Sequence, residues 1–334
     1  MRGRSGLQSR QCGLQKLLES RKCFKLICGA GNEDLDEVEK LVAIYAASGC
    51  RFFDLSPHKE VIEAAQKGIL RVTDKKNLSD YHFCISVGIK GEPHFNKAKI
   101  NQKFCKKCVN CIDSCLQKAI NPDFMVIEEK CIGCARCLKT CKHSAIEIYQ
   151  KNKPIEDIFF PLFTLHPSPF TCIELHASGT DEKDVQERWN YLNKNFDGML
   201  SICIDRSKLS NEAVLNRIKN LIKNRKLYTT IIQADGNPMS GGEDDFKTTL
   251  PAVAMAEIIA NEKLPVYLLI SGGTNSKTAE LAKIFGIDFN GISVGSYARK
   301  IVKKYIERDD FWTNKAVFEQ ASKTAKELII KIIE

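Results

Sequence analysis

Eight cysteines in the middle of the chain repeat one spacing. Cys105, Cys108, Cys111 and Cys115 are followed 26 residues later by Cys131, Cys134, Cys137 and Cys141, each set in the pattern C-x2-C-x2-C-x3-C. Three closely spaced thiolates wrap one corner of an iron–sulfur cube, and the fourth of such a run ligates a second cube. The expected sets are therefore Cys105, Cys108, Cys111 and Cys141 for one [4Fe–4S] cluster, and Cys131, Cys134, Cys137 and Cys115 for the other. A pair of four-cysteine zinc sites is the alternative, since thiolates also suit zinc. The doubled eight-cysteine pattern favours iron–sulfur.

The spacing is that of bacterial ferredoxin-type segments. The proline that usually follows each fourth cysteine is replaced by Leu116 and Lys142, which loosens the turn without removing a ligand. Apolar pairs follow each run, Ala119-Ile120 and Ala145-Ile146, and 125–127 and 146–149 have the make-up of short strands that cover clusters. From Lys97 to Lys153 the chain holds twelve Lys/Arg against five Asp/Glu. Even with about −2 for each oxidised cluster the region stays near +3, so an acidic redox partner, such as a ferredoxin, is expected to be steered here.

A second group of chemically able residues lies at the ends of apolar runs further on. Ser271-Gly272-Gly273-Thr274 and Gly295-Ser296 end two successive strand candidates, and glycines there let backbone N–H groups approach an anion. Gly272, Gly273, Thr274, Gly295 and Ser296 are candidates for holding a flavin or a phosphorylated ligand, tight turns being the plain alternative. Asp235, Glu174 and His176 form the candidate acid–base group, with Asp54, Ser56, Asp205 and Arg206 as further strand-end polar residues. Each alone also suits capping or ion pairing, and no residue is assigned a catalytic role. Lys25, in the first strand candidate, can face the interior or solvent. Cys28, Cys50, Cys84, Cys172 and Cys203 suit small buried hydrophobes, while Cys12 and Cys23 carry no signal.

These strand ends need a scaffold. Runs rich in Ile, Val, Leu and Phe at 24–29, 51–55, 82–87, 171–176, 200–205, 229–234, 266–271 and 291–295 alternate with amphipathic stretches of helical spacing, such as 34–47, 60–70 and 183–196. Eight strand-then-helix units predict an α/β fold, a (β/α)8 TIM-like barrel. An open doubly wound sheet is the rival. The alternation breaks once, so the expected architecture inserts a 2[4Fe–4S] ferredoxin-like α+β module after the third strand. The predicted segments are a basic arm and short helix at 1–23, barrel at 24–96, the module at 97–152, barrel at 153–310 and a helix at 311–334, with 153–170 as a Pro-bearing linker. In the last helix Val317, Ala321, Leu328 and Ile332 share an apolar face.

Length and composition set limits. The chain has 334 residues and 43% hydrophobic content, enough for a sizeable core. Its fifteen cysteines come without a signal-peptide pattern, which points to a reducing, cytoplasmic setting and to metal chemistry rather than disulfides. No apolar run has the length of a membrane helix. Of the net charge of +9, residues 1–26 carry +6, and this arm is expected to be a solvated terminus. No nucleic-acid motif accompanies it, so nucleic acid is not an expected partner.

Taken together, several stretches carry a resemblance. Phe24-Lys-Leu-Ile-Cys-Gly-Ala-Gly31, Glu92-Pro-His-Phe95, Asp235-Gly-Asn-Pro-Met-Ser-Gly241, Gly272-Gly-Thr-Asn275 and Gly295-Ser-Tyr-Ala-Arg299 resemble the LdpA (light-dependent period) family of iron–sulfur proteins over about residues 15–304. The resemblance implies a redox sensor, whose clusters respond to photosynthetic electron flow and tune circadian clock proteins as regulatory partners. Its alternative is an oxidoreductase whose barrel binds flavin or a phosphorylated ligand and exchanges electrons with the clusters.

Overall fold

The computed structural model describes residues 2–89, 95–150, 154–163, 170–237 and 241–334. Of the stretches singled out in sequence, residues 92–94, 164–169 and 238–240 lie outside these.

The chain opens with α1 (Arg2–Glu19), whose Leu14 and Leu18 are fully buried. It continues through β1 (Cys23–Ile27), α2 (Leu35–Ala47), β2 (Phe52–Leu55), α3 (Lys59–Leu70) and β3 (His82–Val87). The insertion follows, with β4 (Asn96–Ile100), α4 (Asn110–Asp113), α5 (Arg136–Thr140) and β5 (Ile146–Gln150). The alternation then resumes through α6 (Ile155–Phe163), β6 (Phe170–His176), α7 (Glu182–Asn195), β7 (Met199–Ile204), α8 (Asn211–Ile222) and β8 (Thr230–Asp235). It ends with α9 (Phe246–Ala260), β9 (Tyr267–Ser271), α10 (Thr278–Ile284), β10 (Gly291–Val294), α11 (Ser296–Ile306) and α12 (Lys315–Ile333).

Eight strands close into a parallel barrel in the order β1-β10-β9-β8-β7-β6-β3-β2, so the rival open sheet does not form. Almost every strand residue is buried, as expected for a parallel sheet covered by helices. The helices start where the sequence supplies caps. Asp34, Asp181, Ser210 and Asp245 each accept an N–H from three residues on, at 3.2, 3.1, 3.2 and 2.6 Å.

Four features differ from the sequence expectation. The first residues are not merely a solvated arm: Leu14 and Leu18 pack with Phe52, Met199, Ile231 and Leu269 and stopper the amino-terminal end of the barrel. The segment 153–170 contains α6, which buries Ile155, Phe159 and Leu162 against the barrel despite Pro161. It is the outer helix of the third unit, delayed by the insertion. The strand β4 was also not anticipated, and it pairs antiparallel with β5 from Asn96↔Gln150 to Ile100↔Ile146. Residues 125–127 make only an isolated bridge, Val126 to Ile120. At the carboxyl end, α12 buries Val317, Ala321, Leu328 and Ile332 in the main core.

Candidate functional site

The module repeats its backbone as well as its cysteines. Lys107 and Gly133, Val109 and Ala135, and Lys118 and Ser144 are pairs 26 residues apart, and all six have positive φ, between 51° and 70°. Left-handed backbone at non-glycine residues costs roughly 1 kcal/mol or more each and persists where the surroundings require it. Here the curls after Cys105, Cys108, Cys131 and Cys134 wind each run around a hollow. Ser114 and Thr140, again 26 apart, join the halves through their hydroxyls at 3.1 Å.

One hollow is lined by Cys105, Cys108, Cys111 and Cys141 together with Ile100, Phe124 and Ile146. The other is lined by Cys115, Cys131, Cys134 and Cys137 together with Ala98, Ile120 and Val126. The fourth cysteine of each run therefore sits with three of the other. Two backbone N–H groups donate to sulfur, Ala98 to Cys131 and Ala119 to Cys115, both at 3.3 Å and both in the second hollow. Burial pushes the Cys137 thiol up to about 11 and raises Cys111 as well, so assembling a metal group there must displace protons. Four sulfurs around an apolar hollow, with N–H groups aimed at them, fit an iron–sulfur cube.

The two hollows face different surroundings. Cys108 is exposed, among exposed Lys103, Phe104, Lys106, Lys107 and Val109. The second hollow lies against the barrel. Lys97 is buried there and donates to Gly31 O at 3.0 Å and Glu128 O at 2.9 Å, with Glu33 at 3.0 Å. Lys130 meets Asp34 at 3.4 Å and Lys118 meets Glu307 at 2.9 Å. Part of the module's positive charge therefore serves docking within the chain.

The carboxyl ends of the barrel strands enclose a cavity. All five rim residues named from sequence, Gly272, Gly273, Thr274, Gly295 and Ser296, line it, as do Asp54, Glu174, His176, Asp235 and Arg299. Gly272, at φ +72°, leaves no room for a Cβ beside the Asp235 carboxylate. The Thr274 hydroxyl is committed to Ser293 O, so Thr274 offers the cavity little more than backbone. Asp205, Arg206 and Ser56 lie off the cavity: Asp205 accepts the Ser207 N–H at 2.6 Å and Arg206 donates to Asn211 at 3.3 Å, both local loop bonds. Ile132, between two cysteines of the second hollow, also lines the mouth. A further hollow shares Ile132, Ser296 and Arg299 with it and reaches Cys134.

Two residues were undervalued in the sequence. Lys25 points into the barrel, 1% exposed, with its Nζ 2.5 Å from Asp54, 2.8 Å from Glu174 and 3.1 Å from Gln233. Cys203 is not a plain core residue, since its Sγ lies 3.4 Å from Asp235 Oδ2 at the mouth. The two carboxylates beside Lys25 diverge. Burial works to raise Glu174, but the Lys25 charge, joined by His176, outweighs it and holds Glu174 well below the usual range. At Asp54 burial prevails over Lys25, with the Glu174 charge adding to it, and the carboxyl is raised. Lys25 stays charged, because the facing carboxylates overcome its own burial.

Comparison with known proteins bears on the whole chain. Residues 164–331 match the model of the light dependent period A C-terminal domain. The chain belongs to the light dependent period A family. The Synechococcus elongatus protein of that name is 27% identical over 301 residues, covering 87% of this chain and 84% of the relative. Residues 124–147 match a 4Fe–4S binding domain, which spans the second cysteine run, so this family member is an iron–sulfur protein. Among solved structures, a dihydrodipicolinate synthase from Bacillus clausii shares 7% identity with a TM-score of 0.42, covering 94% of this chain and 80% of its own. An aldolase from Escherichia coli K12 shares 8% identity with a TM-score of 0.42, covering 95% of this chain and 94% of its own. No helix among the described residues is long and apolar enough to cross a membrane.

Proposed function

We propose that this protein is a cytoplasmic redox sensor and electron-transfer regulator carrying two [4Fe–4S] clusters, one in each hollow. The observation that carries the reading is the placement of the two cysteine sets, one at an exposed lysine-rich surface and one against the barrel mouth. Bound there, each cluster supplies reversible one-electron chemistry. The chain's own residues do the rest. Cys105, Cys108, Cys111 and Cys141 hold one cluster and Cys131, Cys134, Cys137 and Cys115 the other. Ala98 and Ala119 N–H groups withdraw charge from sulfur in the second set. Exposed Lys103, Lys106 and Lys107, with Phe104 and Val109, offer an acidic redox protein both steering charge and apolar contact. The name of the Synechococcus relative supports an output in light-dependent circadian timing, through clock proteins as regulatory partners.

Anaerobic purification followed by iron, acid-labile sulfide and visible-spectrum analysis tests the reading. Two clusters are expected per chain. Cys115→Ala should remove the second cluster and Cys141→Ala the first, each halving the iron. Zinc in place of iron, or loss of the cluster from the altered residue's own run, overturns it.

A second reading has its own observation. Gly272, Gly273, Thr274, Gly295 and Ser296 share one rim of the mouth, where α11 begins without a side-chain cap. A flavin or a phosphorylated ligand held there would make the protein an oxidoreductase. Bound flavin in the same anaerobic preparation would favour this reading over the sensor.

A further inference from the structure

The floor of the barrel mouth holds a group of side chains that the cysteine module does not use. Glu174 and His176 are two residues apart on β6 and so face the same side. His176 pairs in register with Cys203 on β7, and Asp235 ends β8 next to it. Glu174, His176 and Cys203 each bring one ligand atom within 4.8 Å of the others. His176 Nε2 lies 3.4 Å from Glu174 Oε1, and Cys203 Sγ lies 3.4 Å from Asp235 Oδ2. All four are buried, and all four line the cavity.

We propose that Glu174, His176 and Cys203, with Asp235 beside Cys203, form a mononuclear site for a borderline divalent ion, zinc or ferrous iron, open towards the barrel mouth. The donor types select the metal. One imidazole, one thiol and one carboxylate suit zinc or iron, whereas magnesium and calcium take oxygen alone. The His176–Glu174 separation of 3.4 Å matches a ligand-to-ligand edge of tetrahedral zinc, about 3.3–3.6 Å, and Cys203 Sγ, within 4.8 Å of both, closes in when the ion binds.

Charge points the same way. Three buried carboxylates, Asp54, Glu174 and Asp235, line the cavity, and the ammonium of Lys25 meets the first two. Arg299, also at the mouth, is engaged by Glu37 at 3.4 Å and by Cys28 O. Carboxylates around the cavity outnumber its Lys25 ammonium, which favours a cation there. An outer layer already orients Glu174. Its Oε2 accepts from Lys25 and Ser201, both at 2.8 Å, and its Oε1 from Gln233 at 3.1 Å. The Phe95 and His176 rings stand nearly perpendicular, with centroids 5.6 Å apart. Binding the ion removes the Cys203 proton to solvent and keeps His176 neutral. Three protein ligands leave a coordination position for a small oxygen-bearing molecule from the cavity, whose lining includes Gly272 and Gly273.

The test uses the full, cluster-loaded chain purified without oxygen, incubated with zinc and then desalted. One zinc per chain beyond the cluster iron is expected by elemental analysis. The His176→Ala, Cys203→Ala double variant should weaken retention by more than about 100-fold, and Gln233→Leu by about 10- to 100-fold, with cluster iron and sulfide unchanged. X-ray absorption at the zinc edge should show one sulfur at about 2.3 Å and lighter ligands at about 2.0–2.2 Å. The sulfur should vanish in Cys203→Ser, which keeps the proposal testable if the double variant misfolds. No retained zinc, retention indifferent to these substitutions, or an all-sulfur shell overturns the site. Cluster iron and sulfide in the same samples report separately on the sensor reading, which can stand or fall without this one.

Discussion

In the barrel interior Lys25 lies against Asp54, Glu174 and Gln233, and the surrounding strands bury a large apolar core. In the module eight cysteines face two hollows, and the apolar side chains between them are few: Ala98, Ile100, Ala119, Ile120, Phe124 and Ile146. Both regions gather groups that a dry interior does not accept alone. The barrel matches Asp54 and Glu174 with Lys25 from its own chain, so the order of that trio does not depend on the module's iron. The module is too small to be held by apolar burial and takes its stability from what its thiolates bind. One chain thus joins a scaffold held by apolar burial to a segment whose order is expected to depend on its metal.

Stripping iron by chelation is the strongest way to break this contrast. The loss at the module should be on the order of 10 kcal/mol, by analogy with structural zinc sites. Hydrogen exchange should show residues 96–150 unprotected while β1 and β6 to β10 stay protected. Equal protection of both would mean that the module folds unaided.

Lys25→Met attacks the barrel instead. It leaves Asp54 and Glu174 facing each other without their cation, a loss of about 3–5 kcal/mol, read as a lower thermal midpoint for the barrel with cluster iron unchanged. The same trio sets a pH response. Glu174 is held below its ordinary value, so its contribution is complete above the unfolded carboxylate value of about 4.3 and is lost as the pH falls below that. Asp54, raised, acts with the opposite sign, taking up its proton in the folded state first. Glu174→Gln should therefore flatten the acid limb of the barrel's thermal midpoint, and Asp54→Asn should not.

Gly133→Ala sharpens the contrast within the module. A Cβ there would overlap the Asn96 carbonyl at a φ of +70°, costing about 1–3 kcal/mol and loosening the second cluster before the first. The smallest effect belongs to Val109, in the first run. Val109→Gly relieves a left-handed β-branched residue and should raise the cluster's resistance to chelation by no more than about 1 kcal/mol. A decrease would show that the Val109 side chain matters more than its strain.

What could be read in sequence follows from the range of each signal. The two cysteine runs are local, and so is the alternation of apolar strands with capped helices, so both hollows and the barrel were legible. The five rim residues were legible because glycines and serines end strands at a fixed face of such a barrel. Lys25 was not, because a lysine in an apolar strand reveals its direction only through the carboxylates of β2 and β6. Cys203 looked like a core residue until Asp235, 32 positions away, came beside it. Pro161 concealed α6, and the lysines of β4 masked a strand whose partner lies some fifty residues on, with Lys97 turned inward to dock the module.

The seal made by Leu14 and Leu18 has a consequence for traffic. With α1 packed over the amino-terminal end, any molecule that enters the barrel would pass the side that Ile132 lines. Lys97, Lys118 and Lys130 join the module to the barrel beside that side, so charge changes at those three contacts should alter the exchange rate of any molecule that enters.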